Sequence, residues 1–117
     1  MKIGVVGPCG AGKTTLVHRL KQLGYDGRHI VQEHSYVPAM WQIISKPDVL
    51  VFLDVSFENS TSRRSLSWAY EEYAQQLHRL QHARQHANLI INTDPLTIDE
   101  VVHQVVEFIT SYPQRIS

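Results

Sequence analysis

Residues Gly7 to Thr14 read Gly-Pro-Cys-Gly-Ala-Gly-Lys-Thr, between an apolar stretch (Ile3, Val5, Val6) and a helix-like stretch, Thr14 to Leu23. No other segment restricts the fold as much. The run matches G-x-x-x-x-G-K-[ST], and its meaning depends on having a strand before it and a helix after it. Glycines let such a loop curl with its N–H groups turned inward. The start of the following helix adds further N–H groups and the positive end of the helix dipole. The pattern therefore predicts a cradle for a polyphosphate built from Gly7, Pro8, Cys9, Gly10, Ala11, Gly12, Lys13, Thr14 and Thr15. In this pattern Lys13 reaches the β- and γ-phosphates and the Thr14 hydroxyl holds Mg²⁺. The bland alternative is a glycine-rich turn that binds nothing.

With 117 residues the chain is expected to form one domain, 1–117, around one core. Lys and Arg together equal Asp and Glu, 11 against 11. That balance gives no support for a general nucleic-acid or membrane surface, so neither partner is expected. A single cysteine excludes an internal disulfide and suits a reducing compartment. Met1-Lys2 runs directly into the first strand, which leaves no room for a signal peptide. The longest apolar run, Val49 to Leu53, is far too short to span a bilayer. A cytoplasmic protein is the expectation.

Apolar periodicity divides the chain into alternating strands and helices. In the first helix Leu16, Leu20 and Leu23, with Val17 beside them, form one face, and Gly24 fits the residue after its end. Tyr25 to Arg28 reads as a turn, His29 to Glu33 as a weaker second strand, and Ser35 to Pro38 as a loop. Ala39 to Ile44 reads as a short helix with Met40, Ile43 and Ile44 inward. Lys46-Pro47-Asp48 breaks it and introduces the clearest strand, Val49 to Val55, apolar almost throughout as in parallel strands covered on both faces. Ser56 looks like the N-cap of a helix over Phe57 to Arg64. A long helix from about Leu66 to His86 follows, with Leu66, Tyr70, Tyr73, Leu77 and Leu80 as its stripe and His78, His82 and His86 on the wet side. Asn88 to Asn92 is a fourth strand. Thr97 and Glu100 form a capping box for a last helix to about Ile109, with Ile98, Val101, Val102, Val105 and Ile109 inward. The alternation predicts an α/β fold with a parallel sheet and right-handed crossovers. The strands at 49 and 88 are expected on one side of the first strand and the strand at 29 on the other.

Beyond the loop, Pro47-Asp48-Val49-Leu50-Val51-Phe52-Leu53-Asp54-Val55, then Glu58, then Arg63-Arg64 resembles the P-D-hhhh-L-D-V…E…R-R stretch of nucleoside- and nucleotide-kinase-type P-loop proteins. Thymidylate kinase and dephospho-coenzyme A kinase are the nearest patterns. The stretch Ala87 to Asp94, followed by Leu96 to Val102, resembles the last strand, base-contacting loop and final helix of that group. The resemblance covers most of the chain. It implies a three-layer P-loop NTPase fold with a small, mostly parallel sheet of four or five strands. The stretch between Gly24 and Val49 holds only one strand and one short helix, so one strand and the acceptor-binding segment of that group are trimmed or missing.

The resemblance further implies ATP or GTP with Mg²⁺ as cofactors and a small-molecule phosphate acceptor. No N-K-x-D guanine-reading signature is present, which favours ATP. Lys13, Glu33, Arg63 and Arg64 are the candidate catalytic residues: Glu33 for acceptor binding, contact with Mg²⁺-bound water or general base, and the arginines as lid groups over the transferring phosphoryl. Asp54, at a strand's carboxyl end, is the candidate metal residue beside Thr14. Thr93 and Asp94 are candidates to line the base or ribose. Each has a plain alternative: a solvated loop acid, a loop-supporting Asp, exposed helix-end arginines and a turn before Pro95. Cys9 reads as filling a variable loop position. Tyr36 and Trp41 are either a stacking surface or core. The His78–His82–His86 ladder reads as a polar face. Three functions fit: a phosphotransferase, a nucleoside triphosphatase that drives a switch, and a nonenzymatic nucleotide-binding module completed by a partner chain or homo-oligomer.

Overall fold

The computed structural model describes residues 1–64 and 70–112, without the side chains of 61–64. Strands β1 (Lys2–Val6), β2 (Asp26–His29), β3 (Val49–Asp54) and β4 (Leu89–Asn92) form one sheet in the order β2-β1-β3-β4. Every pairing is parallel, and the strands sit on the sides of β1 that the pattern predicts. Helices α1 (Lys13–Gln22), α2 (Met40–Ser45), α3 (Phe57–Arg64), α4 (Tyr70–Arg79), α5 (Gln81–His86) and α6 (Ile98–Ser111) join them. Among the described residues no helix is long and apolar enough to cross a membrane.

The twofold alternation of side chains along a strand divides the core. Ile3, Val5, Val49, Val51, Leu53 and Ile91 face one way, against Leu16, Val17 and Leu20 of α1 and Val101, Val102, Val105 and Ile109 of α6. Val6, Leu50 and Phe52 face the other way, against Trp41 of α2, Leu80 and Ala83. Both faces of β3 are therefore covered, which explains its unbroken apolar run. The sheet order reverses direction between β1 and β3, and in open parallel sheets ligands bind at the carboxyl ends beside such a reversal. The 7–14 loop leaves β1 at that point.

Several local readings are corrected. The second strand is Asp26–His29, not His29–Glu33, and Gln32–His34 form a 3₁₀ turn. This edge strand is made by backbone pairing from Lys2↔Asp26 to Val5↔His29, so its polar side chains gave no alternating signal. Gly27 packs inward, where a Cβ would lie 3.3 Å from the Val17 carbonyl oxygen. In α2 the inward residue is Trp41, whereas Ile43 and Ile44 are 59% and 73% exposed. A helix of under two turns buries one side only. Trp41 wins because its indole carries the largest apolar area and because its ring and backbone N–H groups both find partners: the backbone N–H donates to Gln32 Oε1 at 2.7 Å and Nε1 to His82 Nδ1 at 3.1 Å. His82 is therefore half-buried rather than fully on the wet side, while His78, His86 and His103 are exposed. Leu23 is also exposed, since α1 ends at Gln22 and turns at Gly24 with φ +90°.

The long helix is two helices. The Leu80 N–H is shared between the carbonyls of Gln76 and Leu77, which tightens the turn and ends α4 while Leu80 stays fully buried. Tyr73 faces in and Tyr70 is 59% exposed. The expected start of this helix, including Leu66, lies outside the described residues. The helix caps are found as read. Ser56 Oγ accepts from the Asn59 N–H at 3.2 Å, and the Thr97–Glu100 capping box is complete in both directions.

Candidate functional site

The 7–14 loop is shaped by its glycines and tied down by its neighbours. Gly10 takes φ +86° and Gly12 φ +92°, in the left-handed region that side chains disfavour. A Cβ on Gly10 would meet the Ser60 carbonyl oxygen at 2.7 Å, whereas one on Gly12 would meet open space. The loop packs on α3 at the first position and faces a cavity at the second. Behind the loop, the Cys9 N–H donates to Gln76 Oε1 at 2.9 Å, Gln76 Nε2 donates to Cys9 Sγ at 3.2 Å, and Ser60 Oγ donates to the Cys9 carbonyl. The Cys9 amide is thus committed to α4. The N–H groups that open α1, at Lys13, Thr14 and Thr15, have no preceding turn to bond.

A cavity of about 340 Å³ lies in front of the loop, lined by Gly12, Lys13, Thr14, Thr15, Glu33 and His34 among others. Lys13 and Glu33 are 6% and 2% exposed. Lys13 Nζ donates to the carbonyls of Gly7 at 2.7 Å and Pro8 at 3.1 Å and sits 3.0 Å from Glu33 Oε2. The 3₁₀ turn explains how Glu33 arrives there. A strand reaching Glu33 would carry it outward along the sheet, whereas the turn after β2 folds the carboxylate back over the loop. Its Oε1 is buried and has no hydrogen-bond partner among the described residues. His29 flanks the cavity. Its partial burial, reinforced by the Lys13 charge and opposed by Glu33, holds its imidazole below the ordinary value.

A second hollow of about 220 Å³ lies on the other side of the loop–helix junction, lined by Ala11, Gly12, Thr15, Thr93, Leu96, Ile98 and Val101. Thr93 is thus placed beside the loop, with its hydroxyl donating to the Asp54 carbonyl at 2.7 Å. Asp94 Oδ1 accepts from the Ser56 N–H at 3.0 Å and fastens β4 to the start of α3. Asp54 ends β3 as expected, but both carboxylate oxygens are engaged: Oδ1 accepts from the Val55 N–H and Oδ2 from Arg84 Nη1, each at 3.0 Å. Arg63 and Arg64 lie in α3, and their side chains fall outside the described residues. Tyr36 is 84% exposed with the Arg79 guanidinium 4.6 Å over its ring.

The structure thus brings together Lys13, Glu33 and Thr14 around one cavity and Thr15 and Thr93 around the other. Sequence reasoning missed Gln76, whose buried amide clamps the loop. A glutamine interrupting an otherwise apolar helix face was the available signal. Comparison with protein-family models and with curated proteins returns no match for this chain.

Proposed function

We propose that the chain is an ATP-binding phosphotransferase of the P-loop type, which takes the triphosphate on the 7–14 loop and passes its terminal phosphoryl group to a small-molecule acceptor. The observation that carries this reading is the buried Lys13–Glu33 pair in front of the loop. Buried ion pairs seldom stabilise a fold relative to apolar packing, so a pair kept buried at the wall of a cavity points to a role in binding. Lys13 is held by two loop carbonyls and one carboxylate, all replaceable by phosphate oxygens. A triphosphate drawing Lys13 away frees Glu33 to accept the proton of an acceptor hydroxyl.

Thr14 and Glu33 line the same cavity, and the unpartnered Glu33 Oε1 is an oxygen suited to a hard cation or its waters. These two residues would hold Mg²⁺, which neutralises phosphate charge when bound. Asp54 is left out of that set because Arg84 and the Val55 amide already occupy it. The hollow beside Thr93 and Leu96 is the place for the base.

Isothermal titration with ATP and GTP, each with and without Mg²⁺, tests the binding half, with Lys13→Ala as the control that loses it. A coupled assay over a panel of small hydroxyl and phosphate acceptors tests the transfer half. Phosphate release without acceptor would make the protein a triphosphatase, and saturable binding without turnover a nonenzymatic module. Failure to bind any triphosphate would overturn the reading.

A further inference from the structure

We propose that Cys9, Glu33 and His34 form a binding site for a thiophilic divalent cation such as Zn²⁺. The site shares the loop cavity and the Glu33 carboxylate with the nucleotide reading, as an alternative occupant of that carboxylate when no nucleotide is bound. Cys9 Sγ lies 3.8 Å from His34 Nε2, which lies 3.8 Å from Glu33 Oε2. One ligand atom from each residue falls within 4.8 Å of the other two. Tetrahedral zinc with bonds of about 2.3 Å to sulfur and about 2.0–2.1 Å to nitrogen or oxygen sets S···N near ~3.5 Å and N···O near ~3.3 Å. The S···N separation and the N···O separation to Oε2 exceed these by only a few tenths of an ångström, a gap that a small turn of the His34 side chain, 58% exposed, would close.

Glu33 supplies the independent observation. It is almost wholly buried, lines the cavity that Cys9 and His34 also line, and leaves Oε1 without a partner among the described residues. A buried carboxylate oxygen with no donor is costly, and native structures rarely keep one without a reason. A cation between Cys9 and His34 satisfies it. Lys13 contacts Oε2 and is also held by the Gly7 and Pro8 carbonyls, so the ammonium does not depend on this carboxylate alone and the carboxylate can turn an oxygen to the metal.

The Gln76 amide already donates to Cys9 Sγ, the kind of outer contact that steadies a ligating thiolate. On binding, Cys9 gives its proton to solvent. The thiolate and the carboxylate together then cancel the charge of the dication. Sulfur and imidazole ligands select against Mg²⁺, which takes oxygen. Three protein ligands leave a fourth position for water or an anion.

Co²⁺ titrated into the full chain, without nucleotide and with Mg²⁺ in excess, tests the site. The expected result is one equivalent bound, with a thiolate-to-cobalt charge-transfer absorption and tetrahedral ligand-field bands that Zn²⁺ displaces. Cys9→Ser removes the charge-transfer absorption. His34→Ala, a change at an exposed side chain, weakens binding by at least about tenfold, and it decides the matter should Cys9→Ser fail to fold. A titration without the charge-transfer absorption, or binding that survives His34→Ala and is lost in His82→Ala, overturns the proposal. No triphosphate enters the measurement, so a chain that binds no nucleotide leaves this result standing.

Discussion

Replacing Lys13 by methionine keeps the apolar stem and removes the ammonium, and the two members of its ion pair respond unequally. Without Lys13, Glu33 is a carboxylate 2% exposed which, among the described residues, has no partner at Oε1 and only His34, at 3.8 Å, at Oε2. Breaking a buried pair in this way costs about 3–5 kcal/mol. For a domain of this size that is a fall in Tm of roughly 12–20 °C. Without Glu33, by contrast, Lys13 still donates to the carbonyls of Gly7 and Pro8, so Glu33→Gln costs about 1–3 kcal/mol.

The double variant Lys13→Met/Glu33→Leu removes the stranded charge but takes the ammonium from the Gly7 carbonyl, while the Pro8 carbonyl keeps the Ala11 N–H at 3.2 Å. It is expected to regain at least about 1 kcal/mol over Lys13→Met alone. Thermal melts followed by circular dichroism, together with urea titrations without nucleotide, measure all three. The reasoning is refuted if Lys13→Met lies within about 1 kcal/mol of wild type, as an exposed pair would, or if the double variant is no more stable than the single.

Gly10→Ala is expected to cost more than Gly12→Ala: both carry the left-handed penalty of about 1–2 kcal/mol, but only the Gly10 Cβ meets a backbone oxygen, at 2.7 Å. Urea midpoints rank them, and an equal loss at both would contradict the packing of the loop on α3. Because the folded protein holds His29 below its ordinary value of 6.5, the unfolded chain binds the extra proton first as pH falls. The His29 contribution to stability is therefore present above pH 6.5 and lost as acid takes the solution through the lowered folded value, and His29→Asn should flatten that part of a stability–pH curve. Asp54→Asn should leave the affinity for Mg²⁺-ATP within about threefold of wild type, since a change of that size is under 1 kcal/mol; a loss of a hundredfold in titration calorimetry would restore Asp54 as a metal residue.

The sheet order and the loop position were legible because they rest on long apolar runs and on one glycine-lysine pattern. β3 is buried on both faces and reads so, and the Thr97–Glu100 box announces α6 through chemistry confined to four neighbouring residues. What stayed hidden depends on partners distant in the chain. The polar β2 is a strand only because β1 lies beside it. The inward turn of α2 is decided by Gln32 and His82, neither of them in that helix. Glu33 was picked out as an acid at a strand end, yet its closeness to Lys13 comes from a 3₁₀ turn that no periodicity encodes. Gln76 lies 67 positions from the cysteine it holds.

One helix, α4, grips both walls of the cavity. Gln76 holds the loop at Cys9, and one turn later Arg79 Nη1 donates to the Glu33 carbonyl at 3.2 Å. Loop and acidic turn therefore hang from a common axle. Arg79 also holds the Tyr36 hydroxyl, so a guest that shifts that axle is expected to carry Tyr36 with it. The exposed aromatic ring is thus tethered, through one arginine of α4, to both sides of the hollow.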